Sequence, residues 1–175
     1  MGTIRDLQME ENGLFAQGVF DSHSLFEGEM RVSIFVDDGA SKEDAERCIE
    51  QYNALPAGGA VDNAIQRGLE RFFLYMYDEW DAFDIYDGIA RSLIPIMDGY
   101  KNGARLISYL YKPSLAVYAQ RDGEVGYGIE CECPWEPEHM CLILVRNGEV
   151  IYVGPSEGQE PWDDEDEFYC IWNEV

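Results

Sequence analysis

Cys131-Glu-Cys-Pro-Trp-Glu-Pro-Glu-His-Met-Cys141 sits between two hairpin signals, Arg121-Asp-Gly-Glu124 and Arg146-Asn-Gly-Glu149. Asp-Gly and Asn-Gly mark two-residue hairpin turns, because such turns need positive φ at their central positions. The residues between the turns are rich in β-branched, aromatic and aliphatic types, as strands require. Together they predict four antiparallel strands over about 114–121, 124–132, 139–146 and 149–153. With 134–138 as the middle loop, Cys131 lies opposite Cys141 and Cys133 opposite His139. All four then share one face, since alternate residues of a strand point the same way. The same register puts Ala116, Tyr118, Tyr127, Ile129, Ile143 and Tyr152 on that face. Leu115, Val117, Leu142, Leu144 and Val153 fall on the other. Both faces are apolar, so both are expected to be covered. Each tight turn also sets an Arg across from a Glu.

Outward from this meander, 14–20 and 30–36 read as two further strands. Met30, Val32, Ile34 and Val36 alternate with Arg31, Ser33 and Phe35. Ser41 can cap a first helix over about 41–55, whose apolar face is Ala45, Cys48, Ile49 and Tyr52. A second helix over about 61–77 carries the stripe Val61, Ile65, Leu69, Phe72, Phe73 and Met76, and is the expected cover for one face of the sheet. Segments near 89–100, interrupted by Pro95, and 104–110 add shorter helical pieces. The fold class is α+β: an antiparallel β-meander (about 114–153), extended by N-terminal strands and packed with two main helices. The 175 residues are expected to form a single domain, 1–175, with an acidic, aromatic C-terminal segment over 156–175.

The formal net charge is −23, from 35 acidic and 12 basic residues. Such a surface repels nucleic acid and anionic membranes, and favours a basic protein partner. The N-terminus lacks the charged-then-apolar pattern of a secretory signal, and no apolar run reaches membrane-spanning length. Five cysteines without a signal point to reduced thiols and a cytoplasmic location. Two stretches mix carboxylates with large rings, as desolvated anchors in a charged surface would. The first, 78–87, holds Trp80, Asp81 and Asp84. The second, in the tail, holds Trp162, Asp163 and Asp164.

The central stretch admits three chemistries. Cys131, Cys133, His139 and Cys141 have the donor types of a zinc site. Their spacing argues otherwise: ligands two apart on a strand start about 7 Å apart, which gives a rectangle and not a tetrahedron. Buried thiols are the competing reading. Glu136, Glu138 and His139 could serve a hydrolase as acid and base, although adjacent residues at the start of a strand point apart. Trp135, Glu136, Glu138 and His139 could instead form part of a partner-binding loop, stiffened by Pro134 and Pro137. No phosphate-binding, nucleophile-elbow or metallopeptidase motif is present. No catalytic residues are assigned, and no cofactor is expected beyond the zinc alternative.

Trp135-Glu-Pro-Glu-His139, a following strand, Asn147-Gly148-Glu and Val150-Ile-Tyr-Val-Gly154 resemble a family of uncharacterised bacterial domains. Its members carry a Trp-Asp-x-Glu-His-Gly turn, then a strand, an Asn-Gly-type turn and a strand ending in Val-Gly. Trp135, Glu138 and His139 match that turn; Glu136 replaces its Asp, and Met140 stands where the family usually has Gly. The resemblance covers about 113–155. It implies a bacterial, cytoplasmic protein, and some members resemble toxin-immunity proteins. With the charge pattern, it leads to the expectation of an acidic protein-binding module that neutralises a basic toxin. The zinc-binding protein and the hydrolase stand as alternatives.

Overall fold

The computed structural model describes the backbone of residues 4–82 and 87–174, and the side chains of these except 81, 82, 87 and 174. Seven strands form one sheet whose spatial order equals their chain order. They are β1 (Arg5–Met9), β2 (Ala16–His23), β3 (Glu27–Ile34), β4 (Tyr111–Val117), β5 (Gly126–Glu132), β6 (Cys141–Arg146) and β7 (Glu149–Pro155). Every neighbouring pair is antiparallel except β3–β4, which is parallel. A parallel pair needs a long crossover. It is supplied by α1 (Lys42–Asn53), α2 (Ala60–Ala82) and α3 (Asp87–Lys101). The α+β architecture, the meander and the two main helices are as the residue pattern predicts.

The start of α1 follows from its first residues. Ser41 Oγ accepts from the Asp44 amide at 3.1 Å, and the Asp44 carboxylate accepts from the Ser41 amide at 2.9 Å. This reciprocal capping box satisfies amides that a helix start leaves orphaned. Ala45, Cys48, Ile49 and Tyr52 are the buried face, as predicted. The second helix runs five residues beyond its expected end at 77. Trp80 continues the period set by Phe73 and Tyr77, so the stripe carries the chain on to Ala82. Helix α3 passes through Pro95 without ending.

Two differences from the expected register have local causes. The Asp122-Gly123 turn does not close a two-residue hairpin: β4 ends at Val117 and β5 begins at Gly126. Only Gly123 of that pair has positive φ. Val117 therefore faces with Tyr127, and Leu115 with Ile129. In β7 an irregularity between Leu144 and Val145 turns Val153 onto the face of Ile143, and Tyr152 onto that of Leu144. The β5–β6 pairing is as predicted, with Cys131 opposite Cys141 and Ile129 opposite Ile143. At Asn147-Gly148 both residues have positive φ and the tight turn forms.

The core follows from these registers. Val32, Leu115, Ile129, Ile143 and Val153 form one row across five strands. Gly68 of α2 rests on Val153 so closely that a Cβ there would stand 2.6 Å from a Val153 methyl. On the other face, Ala116, Gly128, Leu144 and Tyr152 form a parallel row. The C-terminal segment covers it. Pro161 and Trp162 lie over Gly126, Phe168 packs against Tyr152, and Cys170 sits against Gly154. The segment then passes to the helix side, where Trp172 stacks on Phe72 with ring centroids 4.8 Å apart. The hairpin arginines hold this segment in place: Arg121 and Arg146 donate to the carbonyl oxygens of Trp162 and Pro161 at 3.1 and 3.0 Å.

Candidate functional site

The loop between β5 and β6 is built on Trp135. Its side chain is fully buried, edge-on to Phe72 and Phe73 of α2. The Trp80 indole N–H donates to the Trp135 carbonyl oxygen at 2.8 Å. Two stretches read separately in the sequence therefore meet. Trp135 is a core anchor of the loop and offers no ring to a partner; Trp80 is half-buried beside it.

Glu136 is the second brace. It is 9% exposed, and one carboxylate oxygen accepts from the amides of Glu138 and His139, both at 3.3 Å, and meets His139 Nδ1 at 3.2 Å. The Met140 amide donates to the Glu136 carbonyl oxygen at 3.2 Å. Met140 itself has φ +66°, the left-handed conformation that closes the turn. This is the position where the resembling domains usually carry Gly, so the tight turn survives without it. Glu138 is exposed, and His139 keeps about half of its side chain in solvent.

The proposed zinc ligands do not converge. Cys131, Cys133 and Cys141 are buried free thiols, while His139 is turned out to Glu136. Among the described residues no group of three or more His, Cys, Asp or Glu side chains could hold a metal ion. Burial pushes the thiols of Cys131 and Cys133 far up, and the neighbouring Cys141 thiol adds to the shift at Cys133. Burial takes Cys48 up to about 12 and Cys170 to about 11. Such thiols stay protonated at neutral pH and are poor nucleophiles. Of the three groups of the hydrolase reading, Glu136 and His139 meet at 3.2 Å, while Glu138 stands apart from them in solvent. Glu136 is taken up by loop donors.

The acidic, aromatic stretches divide between the two ends of the sheet. Trp162 belongs to the Gly126 end: its indole N–H donates to the Ala119 carbonyl at 2.7 Å and Arg121 lies 5.1 Å over its ring. Asp163 accepts there from the Glu160 amide at 2.7 Å. Asp164 is exposed. The side chain of Asp81, and the whole of Asp84, lie outside the described residues. The end of the tail returns to the opposite end of β5. Trp172 touches Phe72, which touches Trp135, and the Ser156 amide donates to the His139 carbonyl at 3.1 Å.

At that end the apolar residues of the acidic, aromatic tail divide into an inner and an outer set. Phe168, Cys170 and Trp172 are buried. The residues between them, Tyr169 and Ile171, are 61% and 50% exposed. Asp164, Glu165, Asp166 and Glu167, immediately before, are all exposed. Alternation of large apolar residues over 168–172 was the available signal; which set would face inward depended on the tail's path over β7.

No described helix is long and apolar enough to cross a membrane. Neither a curated protein nor a solved structure matches the chain. A domain family of unknown function, DUF6985, matches over residues 7–161, which takes in part of β1, all of β2–β7, α1–α3 and the Trp135–Met140 turn. The chain belongs to the DUF6985 family.

Proposed function

We propose that this protein is a binding module for a basic protein, and that the contact is made by the tail end of the sheet. One observation carries the reading: Tyr169 and Ile171 stand out from a firmly packed segment, directly after four exposed carboxylates. Apolar anchors that are exposed in the free protein and framed by one sign of charge are what a hot spot with electrostatic steering needs. Phe168, Cys170 and Trp172 hold the backbone beneath them, so little ordering cost remains on binding. Exposed Glu138 and the outer edge of His139 lie at the same end of the sheet and extend the surface.

The finer reading is an immunity protein that blocks a bacterial toxin in the cytoplasm. Its support is the net charge of −23 and the likeness of the Trp135–His139 turn to domains some of which resemble immunity proteins. Buried thiols with an outward His139 give a metal-centred role no support. The test is a titration of the purified chain against the purified product of the adjoining gene, at low and at high salt. Tight binding at low salt that weakens at least tenfold at high salt is expected. No complex at either salt, with a basic neighbour in hand, overturns the reading.

A further inference from the structure

Few basic residues serve this chain, and most have structural partners. Arg5 bridges Asp21 and Glu29, Arg47 holds Asp44, Arg105 holds Asp62, and Arg121 and Arg146 hold the tail. Arg67 and Arg71 differ. Both are exposed on α2, one helical turn apart, and neither has a hydrogen bond or ion pair among the described residues. They line a pocket of about 260 Å³ with Ala64, Gly68, the Val150–Val153 stretch of β7 and Asn173. Strand β7 is the last in the sheet and is paired with a strand on one side only, so away from Gly154, where the tail crosses to the helix side, its outer edge has no strand partner among the described residues.

We propose that the groove between α2 and β7 takes an extended acidic segment of a partner protein, which adds a strand to the free edge of β7 and sets alternate carboxylates on Arg67 and Arg71. The dimensions agree. Four residues of helix rise about 6 Å, and alternate residues of a strand stand about 7 Å apart on one side. A segment of the form acidic-x-acidic therefore reaches both guanidiniums while its backbone pairs with β7. A helix lying beside a free strand edge is the geometry in which strand addition gives affinity through the main chain and selectivity through side chains. Arg suits the selective part, because its planar fork matches a carboxylate in two bonds. The occupant is acidic because the groove's unsatisfied groups are cationic, in a chain that otherwise repels acidic partners. This surface adjoins the Tyr169–Ile171 segment, since Asn173 lines the groove, but its occupant has the opposite charge.

The test uses the full chain and a fluorescent, end-capped peptide Thr-Glu-Val-Glu-Val-Glu-Thr, read by anisotropy. At about 0.15 M salt the Debye length of about 8 Å limits long-range repulsion from the rest of the surface. The acidic peptide is expected to bind at least tenfold tighter than its Lys-for-Glu counterpart. Arg67→Gln and Arg71→Gln should each cost about tenfold, and Arg31→Gln, on the exposed part of β3, nothing. Methylating alternate backbone nitrogens of the peptide should also cost at least tenfold, which separates strand addition from a simple anion site. Equal binding of both peptides, unaffected Arg variants, or an affinity no better than that of acetate would overturn the proposal. So would sedimentation showing a dimer of this chain that Arg67→Gln dissolves, since the groove would then belong to a second copy.

Discussion

The indole N–H of Trp80 donates to the carbonyl oxygen of Trp135 across 2.8 Å, and so ties the last turns of α2 to the turn that joins β5 and β6. Trp80 and Trp135 are 55 residues apart in the chain. Their contact makes the loop a product of the helix as much as of its own prolines.

The two indoles therefore have unequal roles, which denaturant unfolding will separate. Trp135→Ala empties a fully buried site between Phe72 and Phe73, and should cost about 3–5 kcal/mol. Trp80→Phe keeps an aromatic ring at a half-buried site but removes the indole donor and part of the ring, for a smaller loss of about 1–2 kcal/mol. Equal losses would mean that the hydrogen bond, and not the packing, fixes the loop.

Gly68→Ala opposes two effects of known sign. Ala is better than Gly in a helix interior by about 1 kcal/mol. Here its methyl would lie 2.6–2.8 Å from Cγ2 and Cβ of Val153, a β-branched residue fixed on a strand. Overpacking of this kind costs about 1–3 kcal/mol, so net destabilisation is expected. Val153→Ala in the same chain should recover part of the loss. A stabilised Gly68→Ala would show that α2 can move off β7.

Met140→Gly should act in the other direction. An L-residue held at φ +66° pays about 1–2 kcal/mol that glycine does not, against a larger entropy loss for glycine of about 0.5–1 kcal/mol. The unfolding midpoint should rise, by a net of about 0.5–1 kcal/mol. A clear loss would mean that the half-buried Met140 side chain contributes more than its backbone costs.

Glu130 gives the fold a pH dependence of definite sign. Burial raises its pKa, and the hydrogen bond from Ser156 only partly opposes this. A carboxyl group whose folded pKa is raised contributes stability below its unfolded pKa and loses it as pH rises through the folded value. Glu130→Gln should therefore raise the melting temperature at pH 7. The difference from the parent should shrink as pH falls through the raised pKa of Glu130 and be gone below the ordinary carboxyl range. A variant that melts earlier at pH 7 would show that ionised Glu130 is held by favourable contacts.

The sheet was legible because its signals are local. Asn147-Gly148 adopts the predicted turn, and the opposition of Cys131 to Cys141 follows from the length of the loop. The face assignments of β4 and β7 were not legible, because each depends on one extra residue: a longer connection at 118–125 and a bulge beside Val145. Side-chain period two makes such a slip reverse a whole strand. The site was less legible still. Trp135 reads the same in sequence whether it is a surface anchor or the core of a loop, and only α2 decides. Nothing in the sequence sets Arg67 and Arg71 apart from other exposed helix residues; the groove they line exists only once β7 is placed beside α2.

The most direct test of the binding role is the affinity of the Tyr169→Ser/Ile171→Ser double variant for the basic product of the adjoining gene, measured beside the parent chain. Both side chains are largely exposed, so the unfolding midpoint should stay within about 0.5 kcal/mol of the parent. Affinity is nevertheless expected to fall by at least a hundredfold. Unchanged affinity in the folded variant would contradict it and place the contact elsewhere on the molecule.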